Sequence, residues 1–205
     1  MQGVVFIDKP TGITSFDVVK NIRQKLKIKK AGHCGTLDPL ATGLLVILLG
    51  RSTKLFSTFS AFDKTYEATL ELGVTTTTGD SQGDIVHQSG VENISFERVQ
   101  QVFSDFKGTI AQVPPMFSAI KYRGRKLYEF ARQGIEVPRK ERTITIFELH
   151  VTKVHLPYVD FYLHCSKGTY VRSLASDVGA RLNCGACIVK IRRVGIGSIT
   201  IKDAI

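Results

Sequence analysis

The sequence predicts an α+β fold, a mixed and largely antiparallel sheet flanked by helices. Three observations lead there. Apolar residues at helical spacing occur in a few separated places: Val18, Val19, Ile22 and Leu26; Val99, Val102, Phe103 and Phe106; Leu174, Val178 and Leu182. Strand-like stretches fall between them, the clearest at 158–165, where Val159, Phe161, Leu163 and Cys165 alternate with polar neighbours. Helices and strands do not alternate regularly, which argues against a repeating βαβ sheet.

Taken in order, residues 4–7 read as a short strand and 15–26 as a helix capped by Thr14 or Ser15. Residues 65–72 are strand-like. Ser95 caps a helix that carries Phe96 and runs through Phe106. Residues 124–132 predict a short helix stopped by Gly134. Residues 143–154, rich in β-branched side chains, predict a long strand; 170–182 a helix; 194–201 a closing strand. No repeat, low-complexity tract or Gly/Ser linker interrupts the chain, so residues 1–205 are expected to form one domain.

With 43% hydrophobic and 22% charged residues, the 205-residue chain has the make-up of an ordinary globular protein. Its formal net charge of +10 is less ordinary. Each phosphate neutralised by Lys or Arg releases condensed counterions, so this excess favours a polyanionic partner. The longest apolar run, residues 44–49, lies between Gly43 and Gly50, far short of the ~20 residues that span a membrane. The stretch from Met1 to Asp8 has no basic region and meets an acid early, unlike a signal peptide. A cytoplasmic protein without a membrane partner is expected. There Cys34, Cys165, Cys184 and Cys187 should be free thiols. Cys184-Gly185-Ala186-Cys187 has metal-ligand spacing, but a tetrahedral site needs two more ligands and no second pair follows; buried thiols and no metal are expected.

One region stands out by charge. Between Lys121 and Arg142, eight basic residues face three acids, with Tyr122, Tyr128 and Phe130 interleaved. Cations that track phosphates, beside aromatics able to stack on unpaired bases, suit an RNA-binding surface. Leu127 with Phe130 or Ala131 equally suits a helix whose apolar side faces a core, and the two readings are compatible. A second basic cluster, Lys25, Lys27, Lys29 and Lys30, precedes a glycine-rich turn.

That turn carries the candidate chemistry. No phosphate-binding loop, dinucleotide fingerprint or HExxH motif occurs. What remains is Gly32-His33-Cys34-Gly35-Thr36-Leu37-Asp38-Pro39-Leu40-Ala41-Thr42-Gly43. Pro39 holds Asp38 out of the α region, and the glycines permit close approach of backbone or ligand. An acid so held could serve as nucleophile, base or metal ligand, or only as part of an Asp-Pro turn.

These twelve residues resemble the catalytic loop of the TruB family of tRNA pseudouridine-55 synthases. Further stretches agree in order: Asp8-Lys9-Pro10-Thr11-Gly12-Ile13-Thr14-Ser15, Lys64-Thr65-Tyr66, Pro114-Pro115-Met116-Phe117-Ser118-Ala119-Ile120-Lys121, Cys165-Ser166-Lys167-Gly168-Thr169-Tyr170-Val171-Arg172-Ser173-Leu174 and Ile191-Arg192-Arg193. The resemblance implies a pseudouridine synthase fold and a cofactor-free isomerase that converts uridine to pseudouridine in the T-loop of tRNA. It implies Asp38 as covalent nucleophile, Arg172 as the cation that keeps it ionised, and Tyr66 as the group stacked on the uracil and near its C5. Tyr170 and the backbone at Ile191 would border the pocket with Tyr66, and His33 would fill the space the flipped nucleotide leaves. RNA contacts are expected from Lys9, Lys121, Arg123, Arg125 and Lys126, within a basic segment of about 112–142.

The partner implied is the T-arm stem-loop, with no obligatory protein partner and a monomeric chain. Family members usually carry a carboxy-terminal PUA-type domain. Here the chain ends about a dozen residues after Ile191-Arg192-Arg193, so either a short form without that domain or a trimmed chain is expected. A zinc-dependent base deaminase is a rival, but His33 is followed by Cys34-Gly35 and Asn183 precedes Cys184, which breaks both halves of its signature. A non-catalytic RNA-folding protein is the other rival; intact Asp38, Tyr66 and Arg172 argue against it.

Overall fold

The computed structural model describes residues 1–205. In chain order it contains β1 (Gly3–Lys9), α1 (Ser15–Lys25), β2 (Ala31–Cys34), β3 (Thr42–Leu49), α2 (Phe56–Ala61), β4 (Lys64–Leu72), β5 (Val74–Thr76) and β6 (Ile85–Gln88). There follow α3 (Phe96–Asp105), β7 (Gly108–Gln112), β8 (Lys121–Tyr122), β9 (Arg125–Lys126) and α4 (Leu127–Ala131). The chain closes with β10 (Arg142–His155), β11 (Tyr158–Cys165), α5 (Val171–Arg181), β12 (Ala186–Ile196) and β13 (Ile199–Thr200). It divides into two compact units, one of Met1–Ala68, Tyr162–Lys167 and Lys190–Ile205, the other of Thr69–Phe161 and Gly168–Val189.

In the first unit β3 is a central strand. It reads as a continuous apolar run because both of its faces are covered. β1 pairs antiparallel along one edge, with Val5 opposite Ile47. Along the other edge β2 pairs antiparallel, with His33 also opposite Ile47, and β12 pairs parallel at Thr42 and Gly43. Leu45, Ile47 and Leu49 join Val18, Val19 and Leu37 in one core cluster, while Leu44, Val46 and Leu48 join Cys34 and Ile196 in another. Helix α1 starts where expected: Thr14 caps it, and Asp17 reaches back to the Thr14 backbone in a capping box.

In the second unit β7 pairs antiparallel with β10, Ile110 opposite Ile144. Ser95 caps α3, which buries Val99, Val102 and Phe103. The Phe103 ring meets Phe161 edge-on, with centroids 5.3 Å apart. Helix α5 buries Leu174, Ala175 and Val178, and Gly179 lets the chain fold back on it: a Cβ at Gly179 would lie 2.2 Å from the Ala186 nitrogen.

The mixed, largely antiparallel α+β class is as expected, and strand β11 has the predicted limits. Two elements differ. The helix expected over 124–132 is only Leu127–Ala131, because Arg123 (φ +48°) and Gly124 (φ +85°) form the two-residue turn of a β8–β9 hairpin. The closing strand expected over 194–201 is instead the end of the longer β12. Its end is followed by Gly197 at φ +55°, and only Ile199 and Thr200 return as β13.

Candidate active site

In the first unit, the amino-terminal motif and the glycine-rich turn are two halves of one device. Ser15, at the start of α1, is buried, and its Oγ accepts the Leu37 N–H at 2.8 Å while donating to the Leu37 carbonyl at 3.0 Å. Gly12 N–H donates to the Pro39 carbonyl at 2.8 Å, and Thr11 Oγ1 to the Leu40 carbonyl at 3.1 Å. Ala41 N–H closes a turn on the Asp38 carbonyl at 3.0 Å. Asp38 is thus flanked on both sides by anchored residues. Sequence reading gives Thr11 no role and Ser15 only that of a possible helix cap; the one signal is that their motif and the turn both resemble the same family pattern.

Lys9 lies beneath this loop with none of its surface exposed. Its Nζ donates to the Pro10 and Ile13 carbonyls at 2.8 Å each and to Pro39 at 3.5 Å. The expected RNA contact from Lys9 is therefore corrected: an ammonium enclosed by carbonyls has no exposed atom to offer a phosphate. Burial lowers its pKa, and the nearby charge of Asp38 opposes that shift. Lys9 is a cation built into the underside of the Asp38 loop.

Tyr66 is buried on β4, whose alternation sends Lys64, Tyr66 and Ala68 to the covered side. Burial pushes its phenol pKa up, and the guanidinium of Arg193 pulls it back. His33 on β2 is half-buried, with Nδ1 enclosed and without a hydrogen-bond partner. Burial, then the charge of Arg193, lowers its pKa, which favours a neutral ring suited to stacking. Ile191 on β12 packs its side chain on the Leu37 cluster, and its carbonyl accepts a long 3.5 Å bond from Thr42 Oγ1.

In the second unit, Tyr170 is the N-cap of α5, and Gln112 brackets its backbone: the Tyr170 N–H donates to Oε1 at 2.8 Å and Nε2 donates to its carbonyl at 3.1 Å. Arg172, two residues on, is buried rather than on the helix surface. Its Nη1 donates to the Thr78 carbonyl at 2.7 Å and its Nη2 to Phe117 at 2.8 Å, while Nε lies 3.7 Å from Asp80 Oδ2. Asp80 is itself oriented by Thr78 Oγ1 at 2.7 Å and by the Gln82 N–H at 3.0 Å. Asp80 escapes sequence reading; in Thr-Thr-Gly-Asp-Ser it looks like an ordinary turn acid.

The basic hairpin of this unit exposes Lys121, Arg123 and Arg125, with Lys126 partly covered. Arg125 lies 4.5 Å over the Phe130 ring, and Lys126 and Arg132 sit 5.4 and 5.3 Å from Tyr128. The aromatics that the sequence offers to bases are thus already covered in part by their own cations. Cys184 and Cys187 are buried free thiols; burial pushes both up, Cys187 to about 11.

The same architecture occurs in solved structures. A chain in a crystal structure of a Cbf5-Nop10-Gar1 complex aligns with 96% of this chain at a TM-score of 0.74 and 30% identity. A chain in the structure of an H/ACA RNP bound to a substrate RNA containing 2'-deoxyuridine aligns with 97% at 0.71 and 27%. This chain spans about half the length of either, 50% and 48% respectively. The α+β fold is that of the pseudouridine synthases. Residues 23–171 match the profile of the TruB family pseudouridylate synthase (N terminal domain). The chain is 48% identical over all 205 residues to tRNA pseudouridine synthase B of Clostridium kluyveri, covering 71% of that protein. It is 46% identical to that of Endomicrobium trichonymphae, covering 89%. The chain belongs to the TruB family of pseudouridylate synthases, RNA-modifying isomerases.

Proposed function

We propose that this chain converts uridine to pseudouridine in the T-loop of tRNA, at position 55, in the cytoplasm, acting on a T-arm stem-loop as a monomer with no cofactor. In the reaction the bond from C1′ to uracil N1 breaks, the base turns, and a bond from C1′ to C5 forms. C5 loses a proton and N1 gains one, so atoms balance without an electron carrier. Asp38 supplies the carboxylate nucleophile, Arg172 the positive charge that keeps a carboxylate ionised, and Tyr66 the hydroxyl that handles the C5 proton. The neutral His33 ring fills the stack as the target base leaves, and Tyr170 and the Ile191 backbone hold the uracil. Lys121, Arg123, Arg125 and Lys126 track phosphates.

The observation that carries this reading is the anchoring of Asp38. Leu37, Pro39 and Leu40 are each bonded to the amino-terminal motif, so the one acid of the loop is presented on an anchored frame, its charge within electrostatic reach of the buried Tyr66. The test is Asp38→Asn. It should bind a T-arm stem-loop as wild type does yet release no tritium from 5-tritiated uridine; release at the wild-type rate would remove Asp38 as nucleophile. Mapping pseudouridine in tRNA from cells lacking the protein tests the target position.

A further inference from the structure

Arg193 is almost wholly buried on β12, one residue past the exposed pair that Arg192 makes with Asp8. Its Nε donates to the Leu44 carbonyl at 2.8 Å and its Nη2 to the Gly35 carbonyl at 3.0 Å. Gly35 follows β2 and Leu44 lies near the start of β3, so these two carbonyls bracket the loop that carries Asp38. The backbone adds a third hold. Arg193 stands opposite Gly43 in the parallel pairing, where a Cβ on Gly43 would come within 2.3 Å of the Arg193 carbonyl oxygen. The guanidinium also rests against Gly35, where a Cβ would lie 3.3 Å from Nη1. The charge of the same guanidinium reaches Tyr66, opposing the rise in its phenol pKa that burial causes.

We propose that Arg193 is a positioning residue for the isomerisation: its one guanidinium fixes both ends of the loop that carries Asp38 and orients the Tyr66 hydroxyl, so that nucleophile and proton-handling group keep a common geometry while the uracil turns. The proposal rests on the roles given above to Asp38 and Tyr66. A planar fork with five donors serves the Leu44 and Gly35 carbonyls at once and keeps donors to spare; the compact ammonium of lysine does not. The positive charge has its own use: to take the C5 proton the phenol oxygen must first have passed its own proton on, as uracil N1 gains one, and a cation already in place stabilises the phenolate in between.

Arg193→Lys in the full chain, assayed on a T-arm stem-loop, should keep RNA affinity within about threefold while single-turnover tritium release falls about 100-fold, the scale of loss for misplaced reacting groups. A double-mutant cycle separates positioning from mere folding. Tyr66→Phe should cost about tenfold less in the Arg193→Lys background than in wild type, since the two act as one unit. A wild-type rate for Arg193→Lys, or strict additivity in the cycle, overturns the proposal. Should Arg193→Lys not fold, the ¹⁵N NMR resonance of the Arg193 Nε–H decides: it should move between wild type and Tyr66→Phe, and identical positions overturn the proposal. Full activity of Asp38→Asn would instead remove the underlying reading, whatever position 193 does.

Discussion

The Ser15 hydroxyl holds the Leu37 peptide from both sides, accepting its N–H at 2.8 Å and donating to its carbonyl at 3.0 Å. A side chain that helps to start a helix therefore fixes the backbone immediately before Asp38. Both residues are buried, so no water replaces the bonds. Ser15→Ala leaves an unpaired N–H and C=O and should destabilise the chain by roughly 1–3 kcal/mol in urea unfolding. Tritium release measured under conditions where the variant is fully folded should still fall, because the anchor of the loop is gone; an unchanged rate would show that the clamp serves stability alone.

Asp80 makes a second relationship of this kind, with Arg172. Both are buried, and Asp80 Oδ2 lies 3.7 Å from Arg172 Nε while two carbonyls take Nη1 and Nη2. Asp80→Asn keeps the shape and removes the charge. If Arg172 is the cation proposed above, it should lower the single-turnover rate about 100-fold, the loss expected when a reacting group is misdirected, and leave T-arm affinity nearly unchanged. A fall in affinity with an intact rate would assign Asp80 to RNA binding instead.

How far the sequence leads can be judged from such residues. Periodicity and caps are local signals, so α1, α3 and β11 are legible with nearly their observed limits. Strand β3 is not: Leu44 to Leu49 invites only a test of membrane length, because a strand covered on both faces shows no alternation. The site divides in the same way. Asp38, Tyr66 and Arg172 are proposed on resemblance to a family, whereas physical pattern alone leaves Asp38 in a turn. Lys9 misleads because a lysine near an RNA enzyme's loop suggests phosphate, and nothing local in the sequence says that three carbonyls enclose it. Ser15, Asp80 and Arg193 stay hidden for one reason: each acts on a residue far along the chain, from 22 positions for Ser15 to 158 for Arg193 and Gly35.

Lys64 gives the chain a distinctive alkaline response. Burial, then repulsion from Arg193, brings its pKa from 10.5 down to about 8. In the unfolded chain the ammonium keeps its proton up to the ordinary value, so between about pH 8 and 10.5 the unfolded state binds more protons. Lys64 therefore makes folding more favourable as pH rises through that window, and the gain is absent below it. Unfolding in urea at pH 7.5, 8.5 and 9.5, compared with Lys64→Met, should show wild type gaining on the variant by on the order of 2 kcal/mol. Parallel pH curves for the two proteins would mean that Lys64 titrates at its ordinary value.

The exposed hairpin of Lys121, Arg123, Arg125 and Lys126 carries the last prediction, about RNA rather than chemistry. Arg125 already meets Glu129 at 3.7 Å and lies over Phe130, so part of its charge is engaged before any RNA arrives. Arg123 lies at the tip, held at φ +48° by the hairpin turn, and forms no ion pair with an acid. The triple variant Arg123→Gln, Arg125→Gln, Lys126→Gln should weaken T-arm binding and flatten the slope of log affinity against log salt by about one for each phosphate left without its cation. Single substitutions rank the contributions: Arg123→Gln should flatten the slope more than Arg125→Gln, because Arg125 must leave Glu129 to reach a phosphate. Since these side chains act by charge, single-turnover tritium release at saturating RNA should stay at the wild-type rate. A slope unchanged in the triple variant would move the phosphate-tracking surface away from this hairpin.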